Sequence, residues 1–413
     1  MKFIWTYLIT NNHYLSIIGI LTIFLLAFVF SSAKKNIKPH KIATGLLMQF
    51  LIAFFILNTK IGLYIFHQIA LGFNKLNSFA DQGIKFVFGN LAKANSSWGY
   101  IFGIKVLPII VFFGALMALL YHIGVIQLFV KGLNFLISPL LGTSGAETLC
   151  ASANSMLDPS ASALLIKNQL KWLTDSEMLA VMISGMSTLT ASLIAVYGSM
   201  GIPMLHLLTA SIMSIPGSLI ISKILMPETD FPKTSAGKKI SLAKDSDNLL
   251  DAISKGTTSG LNVAFSVGAM LIVFIGLIGM LNFLLIKITG IFFTPGYGFN
   301  DLLGKAFSWI MYLIGIPSQD TVAAGALLGQ KIALNEFIAY ASLLKVQITA
   351  RSSIIMTYAI CGFSNFSVIG ILIGAIGSMA PLKREFLTKY GFKALLGGTL
   401  VNLLNAAIAS LFL

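Results

Sequence analysis

The chain is written as a series of apolar runs, each near the roughly 20 residues a helix needs to cross the hydrocarbon core of a bilayer. Short basic stretches separate them. Lipid offers no partner to a backbone N–H or C=O, so only helices and closed barrels can span it. Runs of this length predict helices. The fold class is therefore an all-α polytopic membrane protein, read as one membrane domain with no separate soluble part. Composition agrees, because only 10% of the 413 residues are charged and 56% are hydrophobic. That is too little charge to cover a water-facing surface. The formal net charge of +14 does not make this a nucleic-acid binder. Its lysines are scattered between apolar runs rather than gathered with aromatics on one polar face, as cationic loops at a membrane surface would be. Cys150 and Cys361 sit in small-residue segments and imply neither a disulfide nor a metal framework. The first run is too long for the apolar part of a signal peptide and is followed by lysines, so it reads as a retained span.

Eight spans are expected, at 14–32, 42–59, 102–124 (with Pro108 inside it), 177–197, 202–225, 261–288, 352–380 (broken near 362–365) and 394–413. Residues 61–91 mix apolar residues with Lys, Asn, Gln and Asp at helical spacing and read as an amphipathic interfacial helix. Residues 126–141 read as a short connecting helix. With eight crossings, three basic stretches fall on one side: Lys34 to Lys41, the polar loop 226–255 with Lys233, Lys238, Lys239, Lys244 and Lys255, and Lys383, Arg384, Lys389 and Lys393. That side is the cytoplasmic one. Lys60, Lys75, Lys85 and Lys93 fall opposite, against the rule.

Two segments are different in kind. Residues 142–170 are rich in Gly, Ala and Ser, carry Glu147 and Asp158, and have Pro159 in the middle. Broken backbone at membrane depth is tolerated only inside protein or beside a water-filled cavity, so this reads as a re-entrant hairpin. Residues 315–340 read as a second. The two are related. Gly142 to Thr148 and Gly315 to Thr321 both have the form G-x-x-x-x-acid-Thr. In the spans that follow, Ser176, Gly185 and Ser187 lie on Ser353, Gly362 and Ser364. Repeated hairpin–span pairs build a midplane site in secondary transporters. Ionisable residues at that depth are functional by default, which singles out Glu147, Asp158, Asp320 and Glu336. The competing reading is that such a carboxylate caps a hairpin helix or pairs with a buried lysine such as Lys331 or Lys345.

From about Phe86 onward the sequence resembles the concentrative nucleoside transporters. The resemblance rests on the stretch from Lys105 to Phe113 (KVLPIIVFF), on Leu141 to Glu147 (LGTSGAE), on Leu334 to Tyr340 (LNEFIAY) and on Ile355 to Phe366 (IMTYAICGFSNF). It implies trimers of an eight-span fold with two re-entrant hairpins. It also implies that Glu336 and Asn365 hold ribose hydroxyls, that Asn335 and Phe363 lie beside the substrate, and that Asn154 and Ser192 hold a sodium ion. A carboxylate accepts two hydroxyl hydrogen bonds and an amide both donates and accepts, so the chemistry suits a ribose. The first hairpin departs from the family. Where the family has Gln-Thr-Glu, this chain has Pro159, Ser160 and Ala161, and a further ribose-site serine is Val368. The base half of the site is rewritten, with Asp158 and Ser160 as candidates to line it. For Asp158 two readings stand side by side. As an acceptor-only group it would suit a base edge with adjacent N–H donors, as guanine presents. As an N-cap it would precede Pro159 at the first helical position.

The expectation is a cation:nucleoside symporter in the cytoplasmic (inner) membrane, importing nucleosides or related ribosyl compounds by alternating access. It would be coupled to sodium or to protons, with no cofactor and a homotrimeric assembly. Residues 1–101 would form N-terminal spans and an interfacial helix as scaffold, and 102–413 the transport core. An intramembrane enzyme is disfavoured, since there is no His-Glu-x-x-His, no Gly-x-Ser-x-Gly and no pair of intramembrane aspartates at helical spacing. A non-transporting sensor or channel on the same fold would also explain the rewritten hairpin.

Overall fold

A computed structural model describes residues 13–93, 101–232, 246–293 and 296–413. Lys233, Lys238, Lys239 and Lys244 of the expected polar loop lie outside the described residues. What is described is helical, with no strand among those residues. Six helical stretches are long and apolar enough to cross a membrane: Pro39–Asn58, Phe102–His122, Asp175–Met200, Met204–Leu225, Leu249–Thr289 and Pro381–Ser410. The other two expected spans are His13–Val29, of 17 residues, and the broken pair Ala350–Ile360 and Phe366–Met379.

Burial sorts these helices into a rim and a centre. The most apolar window of Leu249–Thr289 is 0% buried, whereas that of Asp175–Met200 is 94% buried. The first, with Ile272, Ile275 and Phe283 exposed, lies at the rim. It docks on Leu107–His122 through small residues. A Cβ on Gly256 would come 2.6 Å from the Gly114 carbonyl oxygen, and one on Gly260 would come 2.8 Å from Val111 Cα. Such small-xxx-small faces let backbones approach where lipid supplies no hydrophobic drive. Asp175–Met200 instead lies in the centre, packed against Met204–Leu225, the C-terminal helix Arg384–Ser410 and the first hairpin. Gln49, Asn405 and Ser214 give that centre polar ties: Gln49 Nε2 donates to Asn405 Oδ1 at 2.9 Å, and Asn405 Nδ2 donates to Ser214 Oγ at 2.8 Å.

Residues 61–91 form the expected amphipathic helix, Lys60–Phe88, opened by Thr59, whose hydroxyl accepts from Gly62 N at 3.0 Å. Lys105 Nζ reaches back to its Asp81 at 2.8 Å, and Lys85 pairs with the same carboxylate at 2.5 Å. Partial burial would push the Asp81 carboxyl up, but the two ammonium groups outweigh it and hold it below the usual carboxylate range.

Several expected boundaries are corrected. The span at 177–197 is two helices, Asp175–Ser187 and Ala191–Met200. Pro108 lies inside the span as expected, at the opening of Leu107–His122, where its missing N–H is no loss. The span at 261–288 starts earlier, at Leu249, because Asn248 caps it by accepting from Asp251 N at 2.9 Å. The last span starts at Arg384, so Lys389 and Lys393 ride on a helix rather than in a loop. There Lys393 Nζ donates to the Leu225 carbonyl at 3.3 Å, serving an end carbonyl of the neighbouring helix. Residues 289–314, unassigned from the sequence, hold the helix Phe299–Leu313. Its Gly304 faces the first helix of the second hairpin, where a Cβ would meet the Val322 carbonyl oxygen at 2.7 Å.

Candidate functional site

Four elements are interrupted at depth, and each resumes behind a side-chain cap. Hairpin one runs Gly145–Asn154, turns, and resumes as Pro159–Leu165. Asp158 Oδ1 accepts from Ser160 N at 2.9 Å and Ala161 N at 3.1 Å. The first broken span resumes behind Thr190, whose hydroxyl accepts from Leu193 N at 3.3 Å. Hairpin two runs Thr321–Ala333 and resumes as Glu336–Leu343 behind Asn335, whose Oδ1 accepts from Ile338 N at 2.9 Å. The second broken span resumes behind Asn365, whose Oδ1 accepts from Val368 N at 3.2 Å. A helix start leaves its first N–H groups without intrahelical partners. In a membrane interior these caps are what makes a break sustainable.

The lost carbonyl partners are replaced as carefully. At the first break, Ala191 N does not reach Ser187 but donates to the Met156 carbonyl in the turn of hairpin one, at 3.0 Å. The Ser187 carbonyl then accepts from Ser214 Oγ at 2.9 Å and Asn402 Nδ2 at 2.8 Å. At the second break the same Asn402 amide donates to the Cys361 carbonyl at 2.7 Å. One side chain on the C-terminal helix therefore braces both breaks. Gly362 makes this possible. Its φ of +157° and a Cβ position only 2.6 Å from Asn402 Oδ1 exclude a side chain.

The structure draws Glu336 and Asn365 together. Glu336, 5% exposed, is the first residue of its hairpin helix. Its Oε2 accepts from Asn365 Nδ2 at 3.2 Å and its Oε1 from the Tyr197 hydroxyl at 3.1 Å. Three interrupted elements thus meet on one carboxylate. Tyr197 stacks beside Tyr340 and Phe337, with centroids 4.6 and 5.5 Å away, and Ser367 Oγ donates to Asn365 Oδ1 at 2.6 Å. Half-buried Phe363 lies in the break itself, between Cys361 and Asn365. A carboxylate has about four lone-pair positions, so two protein donors leave acceptor capacity for hydroxyls. Asn335 has a part in this arrangement as the cap that opens the Glu336 helix.

The two residues matched to a cation site belong to hairpin one and the first broken span. Asn154 is buried; its Nδ2 donates to Ser184 Oγ at 2.9 Å, and its Oδ1 has no hydrogen-bond partner. Ser192 shares a hydrogen bond with Thr190 at 2.9 Å. The Ala191–Met156 bond ties the helix start carrying Ser192 to the hairpin turn just after Asn154. A buried amide oxygen without a donor beside an opened helix fits a weakly held alkali cation, which takes neutral oxygens.

Among the remaining candidates, Asp158 is exposed and Ser160 half-buried. Asp158 acts as an N-cap. Pro159 is buried against Gly185, where a Cβ would approach Pro159 Cβ to 3.0 Å. Glu147 and Asp320 are structural. Glu147 closes a capping box with Ser144 and pairs with Lys223 at 2.7 Å, not with Lys331 or Lys345. Asp320 accepts from Thr349 N, Thr349 Oγ1 and Ser352 Oγ at 3.0, 2.7 and 2.6 Å, fixing the start of Ala350–Ile360.

Sequence reasoning missed Tyr197, Ser184 and Asn402. Tyr197 carries no local signal, since one tyrosine in an apolar run reads as packing. Asn402 did carry one: an amide in the middle of an apolar helix is costly unless it hydrogen-bonds, and Asn405 repeats it one turn later.

Comparison with known proteins bears on the whole chain. A family model for the N-terminus of Na+ dependent nucleoside transporters matches residues 18–91. One for nucleoside recognition matches 103–204, and one for the C-terminus of Na+ dependent nucleoside transporters matches 206–410. A nucleoside permease, NupC, of Helicobacter pylori is 36% identical over 96% of this chain and 97% of its own. An uncharacterized transporter, YutK, of Bacillus subtilis is 38% identical over 96% and 98%. Human solute carrier family 28 member 3 is 33% identical over 95% of this chain and 59% of its own. Among solved structures, CNTnw in an inward-facing substrate-bound state superposes with a TM-score of 0.91 at 33% identity, covering 97% of both chains. A variant of it in an outward-facing state gives 0.91 at 32% identity, covering 98% of both.

Proposed function

Because the chain belongs to the Na+ dependent nucleoside transporter family, we propose that it imports nucleosides or related ribosyl compounds through the inner membrane in symport with sodium. It is a transporter and not an enzyme, and relatives of its fold in inward- and outward-facing states support alternating access. The observation that carries the substrate reading is the Glu336 carboxylate, buried at the start of a hairpin helix and approached by Asn365 and Tyr197 from two broken spans. A ribose offers adjacent hydroxyls to a carboxylate and an amide, and the half-buried ring of Phe363 gives a flat apolar group a place beside them. The N-termini of two interrupted helices open at this point, and their partial positive charge stabilises the carboxylate.

Sodium is assigned to Asn154, Ser192 and the opened backbone between hairpin one and the first broken span. Its binding there orders hairpin one against the break, which links ion and solute. Asn335, Phe363 and, on the side of the base, Ser160 complete the solute site, with Asp158 as the cap that holds the Ser160 backbone in place. The moving parts lie within 102–413, and three copies assemble as a homotrimer. The test is uptake of labelled nucleosides into proteoliposomes under a sodium gradient or a pH gradient. Saturable uptake that needs sodium and fails in Glu336→Gln supports the reading. Uptake driven by pH and indifferent to sodium would move the coupling ion to the proton.

A further inference from the structure

The shift that lays Ser176, Gly185 and Ser187 on Ser353, Gly362 and Ser364 also lays Asp158 on Asn335 and Asn154 on Lys331. The structure gives the first of these extra pairs the same role, since Asp158 and Asn335 both cap the second helix of their hairpins. The second pair is the informative one. Asn154 ends the first helix of hairpin one, and Lys331 lies near the end of the first helix of hairpin two. The helix openings, matched through Gly142 and Gly315, differ from this register by about one helical turn, so an equivalent side chain keeps its face. Both side chains reach the broken span that follows their own hairpin: Asn154 donates to Ser184, and Lys331 to Ser364.

Lys331 is fully buried, at 0% exposure. Its ammonium donates to Ser364 Oγ and, at 2.8 Å, to Asn402 Oδ1, and it forms no ion pair among the described residues. A buried lysine is ordinarily matched to a carboxylate. Here its partners are a hydroxyl and an amide oxygen, the neutral set that would hold an alkali cation.

We propose that the Lys331 ammonium is a tethered cation, filling in the second repeat the place that the coupling cation takes in the first. This rests on the reading of Asn154 as the sodium ligand. The chain then binds one exchangeable cation per cycle because its second pseudo-symmetric place is permanently occupied. Hairpin two stays locked on its broken span, while hairpin one is locked only when sodium is present. Asn402, bonded to Lys331, to Cys361 and to Ser187, joins the two places.

The experiment uses the purified full chain, with the melting temperature followed against sodium chloride and, at equal ionic strength, choline chloride. Ligand that binds only the folded state raises stability logarithmically with concentration. The wild type is expected to rise with sodium as for one ion, and Asn154→Ala not to rise. Lys331→Asn copies the residue of repeat one. It should melt lower than wild type in choline and rise about twice as steeply with sodium, and Asn154→Ala combined with Lys331→Asn should regain a one-ion rise. Lys331→Met, with no oxygen to offer, should gain nothing. A Lys331→Asn slope equal to wild type, or a flat double variant, overturns the proposal. If neither Lys331 variant folds, the reciprocal Asn154→Lys decides. It should fold in choline and ignore sodium, and either unfolding in choline or a retained sodium rise overturns the proposal. A wild type indifferent to sodium, or an Asn154→Ala variant that still responds, shows instead that the sodium reading of Asn154 was wrong and removes the premise.

Discussion

The two hairpins share a plan and differ in what they bury. Hairpin two, past its entrance at Asp320, buries two charged groups, Lys331 and Glu336, and its two helices are separated only by Leu334 and Asn335. Hairpin one, past its entrance at Glu147, buries a neutral Asn154 and a proline, and its four-residue turn ends in an exposed Asp158. In the proposed reading the difference separates permanent from conditional order. Hairpin two carries its own charges, with Lys331 bonded to Ser364 and Asn402. Hairpin one has an unpartnered amide oxygen at the corresponding place, where the proposed sodium ion would bind.

The comparison breaks first at Glu336. Glu336→Gln replaces an acceptor-only group by one that donates at one end, against two protein donors. Two charge-assisted bonds are worth about 1.5–3 kcal/mol each, so nucleoside uptake at matched protein levels should fall on the order of 100-fold or more. Near-normal uptake would remove Glu336 from the solute site. Asn402→Ala is the next test, because it strips one brace from both halves. It leaves a buried ammonium and two carbonyls short of partners, and about 3–5 kcal/mol of stability should be lost. The readout is the melting temperature in detergent, and a loss below about 1 kcal/mol would mean the two breaks are held independently.

Smaller effects sharpen the contrast on the side of hairpin one. Asn154→Ala should abolish the sodium stimulation of uptake, a loss of sodium affinity of about tenfold or more. Ser192→Ala should do less, since its hydroxyl is already engaged by Thr190. Equal sodium curves for Asn154→Ala and wild type would detach hairpin one from the ion. The smallest effect is expected from Asp158→Asn. Asn and Asp cap about equally well, so stability should hold within about 0.5 kcal/mol, with the competition ranking of nucleosides unchanged. A changed ranking would place the Asp158 carboxylate against the base.

Much of this was legible in the sequence, for a physical reason. Spanning runs must be apolar, and a run of Gly, Ala and Ser with a proline and a carboxylate does not suit a lipid-facing helix, so both hairpins stood out. The Gly362–Asn365 break was legible from Gly-Phe-Ser-Asn. The break at Thr188–Thr190 was not, because its residues are individually compatible with a helix. The repeat offered the missing signal, since Gly185 and Ser187 lie on Gly362 and Ser364 and a break in one copy predicts one in the other. Glu336 and Asn365 could be named from motif, but not the Tyr197 hydroxyl between them, which only the folded chain brings to the carboxylate. The helix Phe299–Leu313 escaped because Asn300, Asp301, Lys305 and Ser308 form a polar face that breaks up its apolar run in the sequence.

In the proposed reading, solute on hairpin two and sodium on hairpin one bind as one coupled event. Coupling between two sites is reciprocal in free energy, so both directions can be read on the same purified protein. Nucleoside affinity measured by calorimetry should rise as sodium replaces choline, and sodium affinity should rise by the same factor when nucleoside is saturating. Nucleoside binding of equal affinity in sodium and in choline would contradict the account.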